Sequence, residues 1–287
     1  MTQSGVRTQI KTALAGFPDR YALPSRPSAA QPAMQDAFRQ TQFLLPGELE
    51  LFEKMMNLQL QIVAANARLR TSEAAALFSF WSRGFAHMAD ACTMTTLGSY
   101  SAAPPLVRAA CDCVAAQRSL LSDGFAEYEE WLENAVTQDR EHAAMALDLG
   151  RFRAGSALAE DERLGGVYRL VSDLSMPHLG ATALQIAPDS NLQKLAIAFG
   201  ETLFHLGWAE LIAGWLLTLS DVQLTIIVSS GVFVVDHSIL AVYQSYSREV
   251  NSILASRRRC YVEEVGGRYL FHNYRRTASG SPKRVLL

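Results

Sequence analysis

Lysine is scarce in this 287-residue chain: of 26 basic residues only Lys11, Lys54, Lys194 and Lys283 are lysines, a bias toward arginine that we attribute to codon usage. Cysteine is scarce too. Cys92, Cys111, Cys113 and Cys260 are too few and too irregularly spaced for a disulfide framework in a chain of this length. Cys111 and Cys113 project about 200° apart on a helix and cannot chelate one ion together, and no C-x-x-C pair exists, so reduced structural thiols are expected rather than zinc ligands. Phosphate-loop, dinucleotide-binding and nucleophile-elbow motifs are all missing. So is any internal repeat of 20–50 residues, which removes solenoids. The start, MTQSGVRTQI, has no long apolar run after its charges, and the protein is expected to be cytoplasmic.

A long uninterrupted apolar run is also missing. The stretch from Leu206 to Leu240 comes closest, but Glu210, Asp221, Gln223, Asp236 and His237 break it into pieces shorter than a bilayer span of about 20 residues. A pair of buried core helices is expected there, and no membrane. Within it, residues 224–235 are dense in β-branched side chains and suit either strand or helix; the helical pattern that follows favours helix.

What is present is helical periodicity over a composition 49% apolar and 19% charged. Pro18, Pro24, Pro27 and Pro32 forbid a continuous helix and mark residues 1–45 as an extended N-terminal arm. A helical bundle is expected over 46–257. Its helices start at Pro46 and Ser72 (ending at Gly98), then after Pro104–Pro105, then around Tyr128 to Gly150, from Asp161 to Met176, and after Asn191 as a cap. Residues 258–287 form a β-hairpin about Gly266–Gly267 with a basic tail. The fold class is therefore mainly α: a helical bundle with an extended arm and a short C-terminal β-hairpin.

Charge is segregated. From Asp123 to Arg163 there are eleven acids against four arginines, and from Arg257 onward eight basic residues against two glutamates. The basic end could meet nucleic acid, or could simply solubilise the terminus.

The stretch SYSAAPPLVRAACDC, residues 99–113, opens a helix whose Arg108 and Asp112 stand four apart and can pair. Exposed, that pair is worth only about 0.3–0.5 kcal/mol. Cys111 and Ala115 beside it are small, however, so a second helix packing there would turn Arg108 into a cationic site. A metal site would need His87, Asp90, Glu201 and His205 to converge; the Glu-x-x-His spacing of di-metal bundles is not found. No metal and no cofactor are expected.

One resemblance enters here. The segment FWSRGFAHMADACTMTTLGSYSAAPPLVRAACDC, an acidic tryptophan-bearing helix, and VYRLVSDLSMPHLGATAL together resemble a group of helical bacterial and archaeal proteins similar in layout to HEPN-like domains. Their pattern is a G-x-Y-x-x-A turn, an L-x-R-x-x-x-E helix and a later Y-x-x-x-S-x-x-x-H-P. The likeness spans about residues 80–184. Gly98, Tyr100, Arg108, Tyr168 and Ser172 match, Asp112 replaces the glutamate, Met176 stands where the histidine falls, and His178 lies two places on. The resemblance implies a metal-independent ribonuclease or RNA-binding role in a toxin or phage-defence type of system, with Arg108 gripping phosphate, Asp112 orienting it and His178 as acid or base. Against it, the R-x(4–6)-H spacing of HEPN ribonucleases is missing: Arg83/His87 and Arg268/His272 have three intervening residues and Arg169/His178 has eight. The leading expectation is accordingly a non-catalytic interaction or regulatory protein, binding a protein partner or a second copy of itself.

Overall fold

A computed structural model describes residues 14–134, 137–139, 144–146, 155–177, 179–186, 193–197, 199–200, 202–256, 259–272 and 284–286. The architecture is mainly α. Residues 14–31 carry neither helix nor strand, as the prolines require. Pro32 then sits at the first helical position of α1 (Pro32–Leu44), and Pro46 does the same for α2 (Pro46–Asn66), where Glu48 complements the helix dipole. Helix α3 (Ser72–Thr96) is capped by Thr71, whose hydroxyl accepts the Ala74 N–H at 3.2 Å, and α4 (Ala103–Ser122) folds back on it with Pro104–Pro105 in its first turn.

Next come α5 (Ala126–Asn134), a two-stranded antiparallel pair β1 (Thr137–Asp139) and β2 (Ala144–Ala146), and α6 (Gly155–Glu160). Helix α7 (Glu162–Ser175) is capped by Asp161 and followed by α8 (Leu179–Ile186). Helix α9 (Leu206–Ser229) and helix α10 (His237–Leu254) complete the bundle.

The chain ends in a sheet of β3 (Tyr261–Val265), β4 (Arg268–His272) and β5 (Arg284–Leu286). Val265 pairs directly with Arg268, and Gly266 and Gly267 both have positive φ (58° and 73°), the two-residue type I′ turn that matches strand twist. The hairpin is thus where the glycine pair predicts it. A third strand joins it from the basic tail, with Phe271 opposite Val285.

Helix α9 is the centre, packed by α2, α3, α4, α7 and α10. Apart from Thr225, Val228 and Ser229 every residue along it is buried, so it has no solvent face and needs none of the amphipathic pattern of a surface helix. It is long and apolar enough to cross a bilayer, but here its apolar length is taken up by other helices. Of the stretch 224–235 expected to be helical, residues 224–229 are, where burial of Leu224, Ile226 and Ile227 overrides the strand preference of the β-branched residues, whereas residues 230–236 are neither helix nor strand. The chain then turns at Gly231 (φ 68°) and tucks Phe233 against Phe78 and Trp81.

Further expectations need correction. The arm expected to be extended over residues 1–45 is helical from Pro32 to Leu44, because Pro32, the last of its four prolines, stands at the first helical position and starts a helix rather than barring one. The helix beginning near Tyr128 stops at Asn134 and gives way to the β1–β2 pair instead of running to Gly150. Asn191 lies outside the described residues. The described part of 193–204 is not helical; Gly200 adopts a left-handed φ of 67°, and the cap of α9 is His205, whose Nδ1 accepts the Trp208 N–H at 3.1 Å. Lastly, the second half of the expected buried pair, α10, is a surface helix with only Val250 fully buried.

The N-terminal segment lies on the bundle. Tyr21 packs edge-on to Phe52 and Phe85, and its backbone is held from both sides by Asn57, which accepts its N–H (3.0 Å) and donates to its carbonyl (2.9 Å). Ala37 and Thr41 of α1, and Leu45 just after it, are buried as well.

The tightest specification inside the core is a reciprocal amide pair. Gln117 of α4 donates to Gln223 of α9 at 2.9 Å and Gln223 donates back at 2.7 Å, both side chains being fully buried. Gln223→Leu orphans the Gln117 amide oxygen, while Gln117 Nε2 keeps the Cys113 carbonyl at 3.1 Å, and should cost about 1–3 kcal/mol in denaturant unfolding. The double variant Gln117→Leu/Gln223→Leu should recover part of that loss. Equal or additive losses would show that the pair contributes packing only.

Candidate functional site

The region around Arg108 is built by the turn before α4. Helix α3 ends with Gly98 at φ 76°. The Ser99 N–H reaches back to the Met94 carbonyl (2.9 Å) and the Gly98 N–H to that of Thr95 (3.1 Å), the paired bonds of a Schellman cap. A side chain at 98 would also press on Ala37 Cβ at 2.9 Å. Two residues on, the buried Tyr100 hydroxyl accepts the His205 N–H at 3.2 Å and so ties the start of α4 to the start of α9. Gly98 and Tyr100, two of the motif positions, are therefore structural.

Down α4, Ala110, Cys111, Cys113, Val114 and Ala115 are all buried, because α3, α7 and α9 cover most of the helix. The small residues beside Arg108 do admit a neighbouring helix, and it is α7. Arg108 is half-buried, with its guanidinium carbon 5.9 Å from the centre of the Tyr168 ring on α7. Its Nε is shut off from water without an acceptor, and so is the Ser172 hydroxyl one helical turn beyond Tyr168.

The expected Arg108–Asp112 ion pair does not form among the described residues. Base-before-acid is the weaker order on a helix, and stacking on Tyr168 draws the guanidinium into the seam instead. Asp112 remains at the exposed rim. Partial burial raises its carboxyl above its ordinary pKa, against the opposing pull of Arg108. His178 lies outside the described residues. Of the three residues named for ribonuclease chemistry, Arg108 and Asp112 stand on one helix, and Arg108 meets Tyr168 rather than an acid or base.

Other sequence candidates are placed as follows. Glu201 is outside the described residues, His205 is engaged in capping α9, and no group of three or more His, Cys, Asp or Glu side chains converges among the described residues. His87 is shifted down by burial and by the nearby Arg83, which favours its neutral form. The four cysteines are free and buried; burial pushes Cys92 up to about 12 and Cys113 to about 11, far from a reactive thiolate.

Within the basic C-terminal run, Arg259 is not a surface charge. It is buried, bound to Glu48 of α2 at 2.8 Å and to the Glu210 carbonyl of α9.

Two features are not apparent from sequence spacing. A surface groove of about 650 Å³ runs between Asp19–Arg20, α2 and α10, but its charges largely satisfy one another: Arg20 pairs with Glu53 (3.2 Å) and Lys54 with Glu50 (2.7 Å). The second is apolar. Met176 (57% exposed), Leu179 (91%), Leu195 (63%), Ile197 (57%) and Phe199 (94%) leave large side chains in water within one stretch of chain. The alternation of Leu195, Ile197 and Phe199 was the available signal, submerged in a segment that also reads as helix.

Compared with known proteins, the chain matches no family model, no curated protein and no solved structure.

The raised Asp112 carboxyl has a measurable consequence. An acid whose folded-state pKa lies above its unfolded value favours the protonated fold, so its ionisation weakens the fold as pH rises through the folded pKa. Asp112→Asn should therefore raise the melting temperature at pH 7, and the gain should shrink as pH falls below the ordinary carboxylate range. A loss of stability at pH 7 would mean that the attraction to Arg108 outweighs the burial penalty.

Proposed function

We propose that the protein is a non-catalytic interaction protein and that its exposed apolar residues Met176, Leu179, Leu195, Ile197 and Phe199 bind a second copy of the same chain. The observation that carries this reading is the exposure of Leu179 and Phe199, at 91% and 94%, in company with Met176, Leu195 and Ile197. Full burial of one such side chain is worth about 1.5–3 kcal/mol, so an interface that covered several of them would gain substantially. A second copy is favoured because a two-fold axis brings the same apolar stretch of both chains together, so that each supplies the surface the other needs.

Sedimentation velocity over a hundredfold range of concentration tests it. Wild type should shift from monomer to dimer, and Leu179→Glu/Phe199→Glu should stay monomeric with an unchanged circular dichroism spectrum. Both positions are so exposed that the substitutions should alter stability by no more than about 0.5 kcal/mol each. A wild type that is monomeric throughout, or a double variant that still dimerises, would overturn the reading.

A further inference from the structure

Residues 14–31 lie on the bundle with neither helix nor strand, and Tyr21 is the one fully buried residue among them. Two helices make its seat. The ring meets Phe52 of α2 at 5.7 Å and Phe85 of α3 at 6.1 Å between centroids, both edge-on. Its buried hydroxyl lies beside the Cys92 thiol of α3 and has no oxygen or nitrogen partner. One side chain holds the backbone. Asn57 accepts the Tyr21 N–H and donates to the Tyr21 carbonyl, and its amide also donates to the Glu53 carbonyl of its own helix at 2.9 Å. Helix α2 therefore fixes the orientation of this clamp. Next to it Arg20, 75% exposed, pairs with Glu53, and the groove of about 650 Å³ between α2 and α10 begins at the same Glu53 and Asn57.

From this geometry we infer that the Tyr21 seat is a peptide-docking site closed in cis. Residues 14–31 are a releasable strap, and the occupant that displaces them is a segment of another protein carrying an aromatic residue preceded by a basic one. Main-chain hydrogen bonds supply affinity that is indifferent to sequence, while a pocket and a charge supply selection. Here Asn57 is the main-chain clamp, the seat selects a ring, and Glu53 selects a positive charge once Arg20 leaves it. The unpartnered hydroxyl gains nothing from the seat, so phenylalanine fits at least as well as tyrosine. An arm with a purely structural role would be fastened along its length. This one is fastened at a single residue, so it can lift while the helices beneath stay folded. The groove gives an incoming chain a foothold beside the strap, on Leu58, Val242 and Tyr246, before Tyr21 has left. The same segment of a second copy has no advantage over the strap already present, whose tether gives it an effective concentration on the order of millimolar. This surface shares no residue with the apolar one proposed for self-association, and either can fail without the other.

Fluorescence anisotropy of a labelled peptide, FPDRYALPSR (residues 17–26), titrated with the full chain tests the inference. Tyr21→Ala frees the seat and should bind the peptide saturably, about tenfold or more tightly than wild type does. Adding Asn57→Ala to that variant should weaken binding about fivefold or more, through the two lost main-chain bonds. Adding Glu53→Gln should weaken it by less than about threefold, because its ion pair is exposed. A peptide with phenylalanine in place of the tyrosine should bind no more weakly, and one with alanine there should not bind. Hydrogen exchange on wild type needs no variant: the Tyr21 amide should exchange about a hundredfold or more faster than those of Met56 and Met88 in the helices beneath. A Tyr21 amide as protected as these, or equal binding of the peptide by wild type and Tyr21→Ala, would refute closure by a releasable strap. No saturable binding to folded Tyr21→Ala, or equal binding of the alanine peptide, would refute the docking site.

Discussion

Everything in this fold is arranged around a helix that has almost no outside. Helix α9 runs for 24 residues with buried side chains along nearly its whole length, so it must be covered in every direction, and each polar group on it needs a partner from whichever element covers that side. Glu210 accepts the Cys260 N–H at 3.0 Å. Ser220 donates to Met88 of α3, Asp221 takes Arg163 of α7, and Gln223 takes Gln117 of α4. Apolar burial supplies the driving force, at about 1.5–3 kcal/mol for a large side chain, but it is indifferent to register. The polar contacts are not, since an orphaned buried donor or acceptor costs about 1–3 kcal/mol. These few side chains therefore fix which helix lies on which side of α9.

The same constraint positions the periphery. The C-terminal sheet docks through Phe271, stacked on Trp208 at 6.1 Å, and through Arg259 reaching between α2 and α9. Gly214 leaves the space for that arginine; a β-carbon there would stand 3.0 Å from its Nη2. Helix α7 is held twice, by Arg163 to Asp221 and by Arg118 of α4 to Asp161 at its own N-cap. Once Asp161 is fixed opposite Arg118, an antiparallel course carries Tyr168, two turns along α7, to Arg108, ten residues back along α4. The stacking of Arg108 is in this sense a consequence of ion pairs formed elsewhere.

Much of this was legible in the residues themselves. Pro46, Thr71, the Pro104–Pro105 pair and Asp161 mark helix starts by local chemistry, and Gly266–Gly267 dictates a turn that few other residues could make. Features created by distant contact were not legible. His205 is an uncommon cap, visible only once Trp208 is known to begin a helix. A helix buried all round has no hydrophobic stripe to find, and its β-branched end resembled strand. Arg259 belongs to the run RRRC, which reads as part of a solvated basic tail; nothing local reveals that Glu48, 211 positions away, awaits it. For the site, the helical wheel correctly set small residues beside Arg108, and the motif resemblance singled out Tyr168 and Ser172. Spacing alone suggested Asp112 as the partner, because the i,i+4 rule sees one helix and the competing ring comes from another, 60 residues on.

That competition also explains why the seam differs from its surroundings. At Arg118, Arg163 and Arg259 the fold supplies an acceptor, and those arginines contribute to holding helices or sheet in place. At Arg108 it supplies a ring face instead. A cation–π contact contributes about 0.5–2 kcal/mol, which is comparable with the penalty of leaving Nε unbonded, so the stack leaves the donor's cost uncompensated by any sizeable surplus. An apolar side chain would fill the same seam beside Tyr168 without that cost.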